Sequence, residues 1–224
     1  DAGALARDMG LRILNVAEVP RFNEWSSQKS EETRKLVDIV HKAGAEAISL
    51  IPRNDNGGMN NGERQANLRV ALRELIPMLN DHGLIGLIEP LGFETCALRD
   101  KQEALTAFDT LDAGATLALI HDTFHHHLAG DGPLFAKRTG LVHISGVSEP
   151  RVATRDMTDA QRGLVGANDR LGNIDQLRDL LSAGYAGPVS FEAFAPDVHA
   201  IADPITVLRA SMDFMRTSLT ATAA

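Results

Sequence analysis

Of the 224 residues one is cysteine, one tryptophan and one tyrosine, and aromatic residues make up 4%. A lone Cys96 cannot close an internal disulfide or build a cysteine-based zinc site. It fits a reducing compartment, so a cytoplasmic protein is expected. Positive charge is also short: 22 Lys and Arg against 30 Asp and Glu leave a formal net charge of −8. Nucleic-acid phosphates are held by basic faces, so no nucleic-acid partner is expected. No apolar run approaches the roughly 18–20 residues that span a bilayer, and no membrane partner is expected. A dinucleotide fingerprint is missing too: Gly57-Gly58 follows Asn and Asp residues and lacks the G-x-G-x-x-G spacing. No signal-peptide pattern opens the chain, which begins at Asp1 rather than Met.

What is present is alternation. Apolar runs recur at residues 12–19 (RILNVAEV), 45–51 (AEAISLI), 84–91 (LIGLIEPL), 116–123 (TLALIHDT), 141–147 (LVHISGV) and 187–194 (GPVSFEAF). Runs of this length and apolarity read as strands buried on both faces of a parallel sheet. Between them lie amphipathic stretches. Residues 26–43 end at Gly44, and 61–82 contain Pro77 and end at Gly83. Residues 100–111 form a shorter helix. Asn173 is expected to cap 174–183, and Asp203-Pro204 opens a last helix to about Leu219. No linker divides the chain, so residues 1–224 are read as one domain. Repeated strand–helix units give an α/β fold. With no glycine-rich first turn, a (β/α)₈ TIM barrel is preferred over an open doubly wound sheet. Six strands are visible where a barrel has eight. The first two strand–helix units are therefore expected to lie outside the sequence, in an upstream segment or supplied by a partner chain.

Four consecutive apolar runs carry one potential metal ligand each near the C-terminal end: Glu89, Asp122, His143 and Glu192. Charged groups there are costly unless paired or metal-bound. Three carboxylates converging on a barrel mouth would repel one another, and one divalent cation relieves this. Three oxygens and an imidazole suit Mn, Mg, Co or Zn, at about 2.0–2.3 Å. In the tract 121–127 (HDTFHHH), strand alternation puts His125 and His127 on one side and His126 on the other, with His121 facing the helices. His125 and His127 are candidate substrate contacts. Arg162, in the long loop 151–170, is a candidate for holding a substrate hydroxyl or neutralising an oxyanion. Trp25, after the first run, is a candidate wall of a sugar pocket.

The segments LIEPLGF (87–93), HDTFHHHLAG (121–130), LVHISGV (141–147) and GYAGPVSFEAF (184–194) resemble the xylose-isomerase-like TIM-barrel superfamily. The D-x-F-H-x-H and S-F-E-x-F patterns resemble its inositol-catabolism branch, the 2-keto-myo-inositol isomerases. The resemblance implies that Glu89, Asp122, His143 and Glu192 are the metal set and that His125 contacts substrate. It places the family arginine near Arg162, although the spacing from there to Asn173 is longer than the family pattern. It implies a divalent-metal-dependent isomerase or epimerase of an inosose or ketose, working by proton transfer through a metal-bound cis-enediolate. Glu89 and Glu192 are then the facing acid and base. A small polyol or sugar is the expected partner, and homo-oligomer formation is left open. The alternatives are an inosose dehydratase on the same fold and a non-catalytic barrel remnant acting as a binding module. A related apurinic-site endonuclease is disfavoured by the acidic charge and the single ligand set.

Overall fold

The computed structural model describes residues 2–55 and 60–221, so Gly57-Gly58 lies outside the described residues. The chain divides into two compact units, Asp1–Ile120 and His121–Ala224.

The first unit opens with α1 (Ala2–Asp8) and then alternates strand and helix: β1 (Asn15–Pro20), α2 (Ser27–Ala43), β2 (Ala47–Ile51), α3 (Asn61–His82), β3 (Ile85–Ile88) and α4 (Lys101–Thr110). β4 (Leu117–Asp122) begins in this unit, and its last two residues belong to the second. β1, β2, β3 and β4 pair in that order, all parallel, with Ile48 opposite Gly86 and Gly86 opposite Leu117. The ends of the helices follow from local chemistry. Ser26 Oγ accepts from the Lys29 N–H, and Asn60 Oδ1 accepts from the Glu63 N–H, each satisfying a donor the first turn leaves open. Gly44 and Gly83 stop α2 and α3 in the left-handed conformation expected of a helix stop. α3 continues through Pro77 to His82 as one helix. Val37 and Val40 of α2, and Leu72, Leu75 and Leu79 of α3, are fully buried, as are Ile48, Leu50 and Ile88 of the strands.

The second unit contains α5 (Thr123–Ala129), β5 (Thr139–Ile144), α6 (Asn173–Ser182), β6 (Val189–Phe191), α7 (Pro196–His199) and α8 (Pro204–Thr220). β5 and β6 are parallel neighbours, with His143 opposite Ser190 and Ile144 opposite Phe191. Val142, Ile144, Val165, Leu177, Leu180, Tyr185 and Met215 form its core. Burial pushes the Tyr185 hydroxyl up to about 12, and it donates to the Pro188 carbonyl at 2.5 Å.

Two local expectations fail. Residues 123–129 are helical, because Asp122 Oδ1 accepts from the His125 N–H at 2.8 Å and starts a turn that Gly130 ends. Strand alternation therefore does not sort the histidines. Residues two apart on a helix point roughly 200° apart, so His125 and His127 face different ways. Asn173 is not the cap of α6 either: it is the first helical residue and is fully buried. Asp169 caps from upstream, accepting from the N–H of Leu171 and Asn173 and from that of Val147 just beyond β5.

Candidate functional site

The site of the second unit is built by strand register. His143 stands opposite Ser190, and Glu192 lies two residues further along, so its side chain returns to the same face. The Glu192 N–H donates to the Ile144 carbonyl at 2.8 Å, extending the ladder one step past β6. His143 Nδ1 consequently lies 3.2 Å from Glu192 Oε1. Asp122 ends β4 with its side chain out of solvent contact. One donor atom from each of Asp122, His143 and Glu192 falls within 4.8 Å of the others. Adjacent ligands around one cation at about 2.0–2.2 Å stand roughly 3–3.5 Å apart, so the His143–Glu192 spacing fits a shared ion. Two carboxylates and an imidazole also suit a divalent metal by chemistry.

Arg162 enters this cluster from the long loop after β5 and is 1% exposed. Its Nη2 donates to Asp122 Oδ2 at 2.5 Å and to Glu192 Oε2 at 2.6 Å. Nη1 donates to Asp159 Oδ1 at 3.1 Å, and Nε to Ser145 Oγ at 3.2 Å. The rings of Phe124 and Phe194 lie 5.0 and 4.9 Å from the guanidinium carbon, within cation–π range. The loop is held by a two-way bridge: Gly146 N–H donates to Gly163 O at 2.8 Å, and Gly163 N–H to Gly146 O at 2.7 Å.

Gly146 has no room for a side chain. An added Cβ would lie 2.5 Å from the Leu164 carbonyl oxygen and 3.0 Å from the Val165 Cα, both backbone. Gly163 is different, since its added Cβ would meet only the Gly146 oxygen, at 3.6 Å. Gly146→Ala should therefore cost about 1–3 kcal/mol by overpacking and loosen the Arg162 loop. Gly163→Ala should stay within about 0.5 kcal/mol of the parent. Urea denaturation of the two variants checks this, and equal losses would disprove it.

Burial alone would raise the Asp122 carboxyl. The Arg162 charge above all, with the neighbouring His125 and His143 rings and the His125 N–H, outweighs it and holds the group well below the usual carboxylate range. His125 moves down from its ordinary value. Burial dominates, the Asp122 charge opposes it, and the Arg162 charge adds to it. The folded chain thus favours a neutral His125 ring. The stability this lends is present above the ordinary histidine value and is lost as pH falls below it.

The other sequence candidates lie as follows. Glu89 directly follows β3 in the first unit, is 3% exposed, and its N–H donates to Leu50 O at 3.3 Å. Trp25 is half-buried in the loop between β1 and α2. His127 opens instead onto a cleft of about 400 Å³ between α5 and α6, lined also by Asp131, Arg170 and Asp175. His121 faces α6, with Nε2 2.8 Å from Gln176 Oε1, as its strand position implies. Sequence reading missed Asp159, Phe124 and Phe194 around Arg162. It also missed Arg53, buried after β2, whose N–H donates to Asn23 Oδ1 and whose guanidinium pairs with Glu24 and Asp55. The Phe194 signal was present, since it lies two residues past Glu192.

Among solved structures the chain is similar to a xylose isomerase domain containing protein from Salmonella typhimurium LT2. The identity is 27% over 98% of this chain and 80% of the other, with a TM-score of 0.85. It is also similar to the IOLI protein with a bound zinc atom, at 17% identity over 98% and 82% of the two chains, TM-score 0.83. A third is D-allulose 3-epimerase from Methylomonas sp. in complex with D-allulose, at 20% identity over 97% and 78%, TM-score 0.67. The last two likenesses show the fold. No curated protein matches the sequence. The family model described as xylose isomerase-like TIM barrel matches residues 1–218, and the chain belongs to that family.

Proposed function

We propose that this chain is a divalent-metal-dependent isomerase or epimerase of a cyclic polyol ketone or a ketose, acting in the cytoplasm. The observation that carries the reading is the cluster of buried Asp122 and His143 with half-buried Glu192 at strand ends, charge-balanced by Arg162. Family membership supports it, as do the bound zinc of the IOLI protein and the bound ketose of the epimerase. Glu89, at the end of β3, is the fourth ligand in this reading.

Mn, Mg, Co or Zn would supply Lewis acidity toward a ketone and its neighbouring hydroxyl. Glu192 then removes the proton from the carbon bearing that hydroxyl with a carboxylate oxygen, leaving an enediolate. For epimerisation Glu89, in its protonated form, returns a proton to the opposite face of the same carbon; for isomerisation it returns one to the former ketone carbon while the hydroxyl hydrogen passes to the former ketone oxygen. Asp122 and His143 hold. Arg162 and neutral His125 contact substrate oxygens and Trp25 walls the ring, while His127, turned toward the α5–α6 cleft, takes no part.

Proton NMR in D₂O over a panel of inososes and ketohexoses tests this, with each of the four metals added. Deuterium should enter at a carbon next to the ketone and stop on chelation. Loss of a hydroxyl would replace the reading with dehydration. No exchange with any metal or substrate would overturn it.

A further inference from the structure

Two carboxylates held close together, one of them out of solvent contact, are costly without a counter-charge. Asp122 and Glu192 have one in the chain itself. A single nitrogen, Arg162 Nη2, reaches the Oδ2 of one at 2.5 Å and the Oε2 of the other at 2.6 Å. A guanidinium does not lose its proton in proteins, so this charge is permanent. It is also fixed in place. Phe124 and Phe194 lie against it, Ser145 and Asp159 each take a further donor, and the Arg162 carbonyl accepts from the Ala195 N–H at 2.8 Å. An arginine serving only as a substrate contact would not need to be 1% exposed and spent on both candidate ligands.

We propose that Arg162 is a built-in counter-cation for the metal ligands. In the metal-free chain it balances Asp122 and Glu192, and a divalent cation binding there competes with it for their charge. This rests on the reading of these two carboxylates as ligands. Arg162 ties the two carboxylates together in the metal-free chain, and it weakens the hold on the metal in return.

The test compares wild type, Arg162→Met and Arg162→Lys by thermal unfolding and by calorimetric titration with Mn²⁺, both on metal-stripped protein. Removing one partner of a buried pair should lower the metal-free melting temperature of Arg162→Met by roughly 6–20 °C. Saturating Mn²⁺ should restore most of that gap, and Mn²⁺ should bind Arg162→Met at least about tenfold tighter than wild type. Arg162→Lys keeps the charge and should bind Mn²⁺ within about threefold of wild type. If Arg162→Met does not fold without metal, refolding with Mn²⁺ should recover soluble protein, and no recovery would overturn the proposal. Weaker Mn²⁺ binding by Arg162→Met, or an equal metal-induced shift in both proteins, would also overturn it. Binding by neither protein would instead remove the metal reading, and this proposal with it.

Discussion

Glu192→Gln will keep the fold and lose proton exchange. Glutamine has the shape of glutamate, and its side-chain oxygen can still accept from Arg162 Nη2, now 2.6 Å from Glu192 Oε2. Its amide can donate toward His143 Nδ1, which lies 3.2 Å from Oε1. The backbone anchor, Glu192 N–H to Ile144 O, is untouched. What disappears is the basic carboxylate. A positioned acid or base contributes about 10²–10⁴-fold, so deuterium incorporation should fall at least that far with metal at saturation. Circular dichroism and the melting temperature should stay close to the parent. Near wild-type incorporation would remove Glu192 from the acid–base role and leave it as a ligand.

The parts of this molecule that depend on near neighbours were readable. Ser26, Gly44, Gly83, Asp100 and Asp203 stand where the helix ends fall, because capping needs only three or four residues of context. The strand ends were readable because a carboxylate or imidazole closing an apolar run breaks the pattern. Asp122, His143 and Glu192 stood out that way, and the structure gathers them. The helix 123–129 was harder, since three histidines carry no apolar period, and the alternation rule was applied to a segment that is not a strand. The setting of Arg162 was not readable. Its partners lie 40 residues back at Asp122 and 30 ahead at Glu192, and only the folded loop unites them. Arg53, 30 residues from Asn23, is hidden in the same way. The Asn173 error has a local cause. Asn precedes an apolar period and mimics a cap, whereas Asp169 accepts the N–H of Asn173 itself, the first residue of that turn.

Asp122→Ala should be the most damaging single substitution at the site, and Asp122→Asn should separate its causes. Asp122 does two structural jobs with two oxygens. Oδ1 accepts the His125 N–H and caps α5, and Oδ2 pairs with buried Arg162. Alanine removes both. Losing an N-cap costs about 1 kcal/mol. An unpaired buried charge costs about 3–5 kcal/mol, and Arg162 keeps Glu192 and Asp159, so that figure is an upper bound for losing Asp122. The sum, up to about 4–6 kcal/mol, is a large share of the roughly 5–15 kcal/mol that holds a domain together. Asparagine caps as well as aspartate, so Asp122→Asn should recover the cap and lose the charge. The two variants should differ by about 1 kcal/mol in urea denaturation, and both should lose metal binding. The pH dependence has a definite sign. The Asp122 carboxyl is held below its ordinary value in the fold, so its contribution is full above that value and is lost as pH falls toward the folded one. The stability gap between wild type and Asp122→Asn should therefore be constant near neutrality and close in strong acid. A gap that widens on acidification, or an alanine variant within about 1 kcal/mol of wild type at neutral pH, would show that the Asp122–Arg162 pair does not hold this site together.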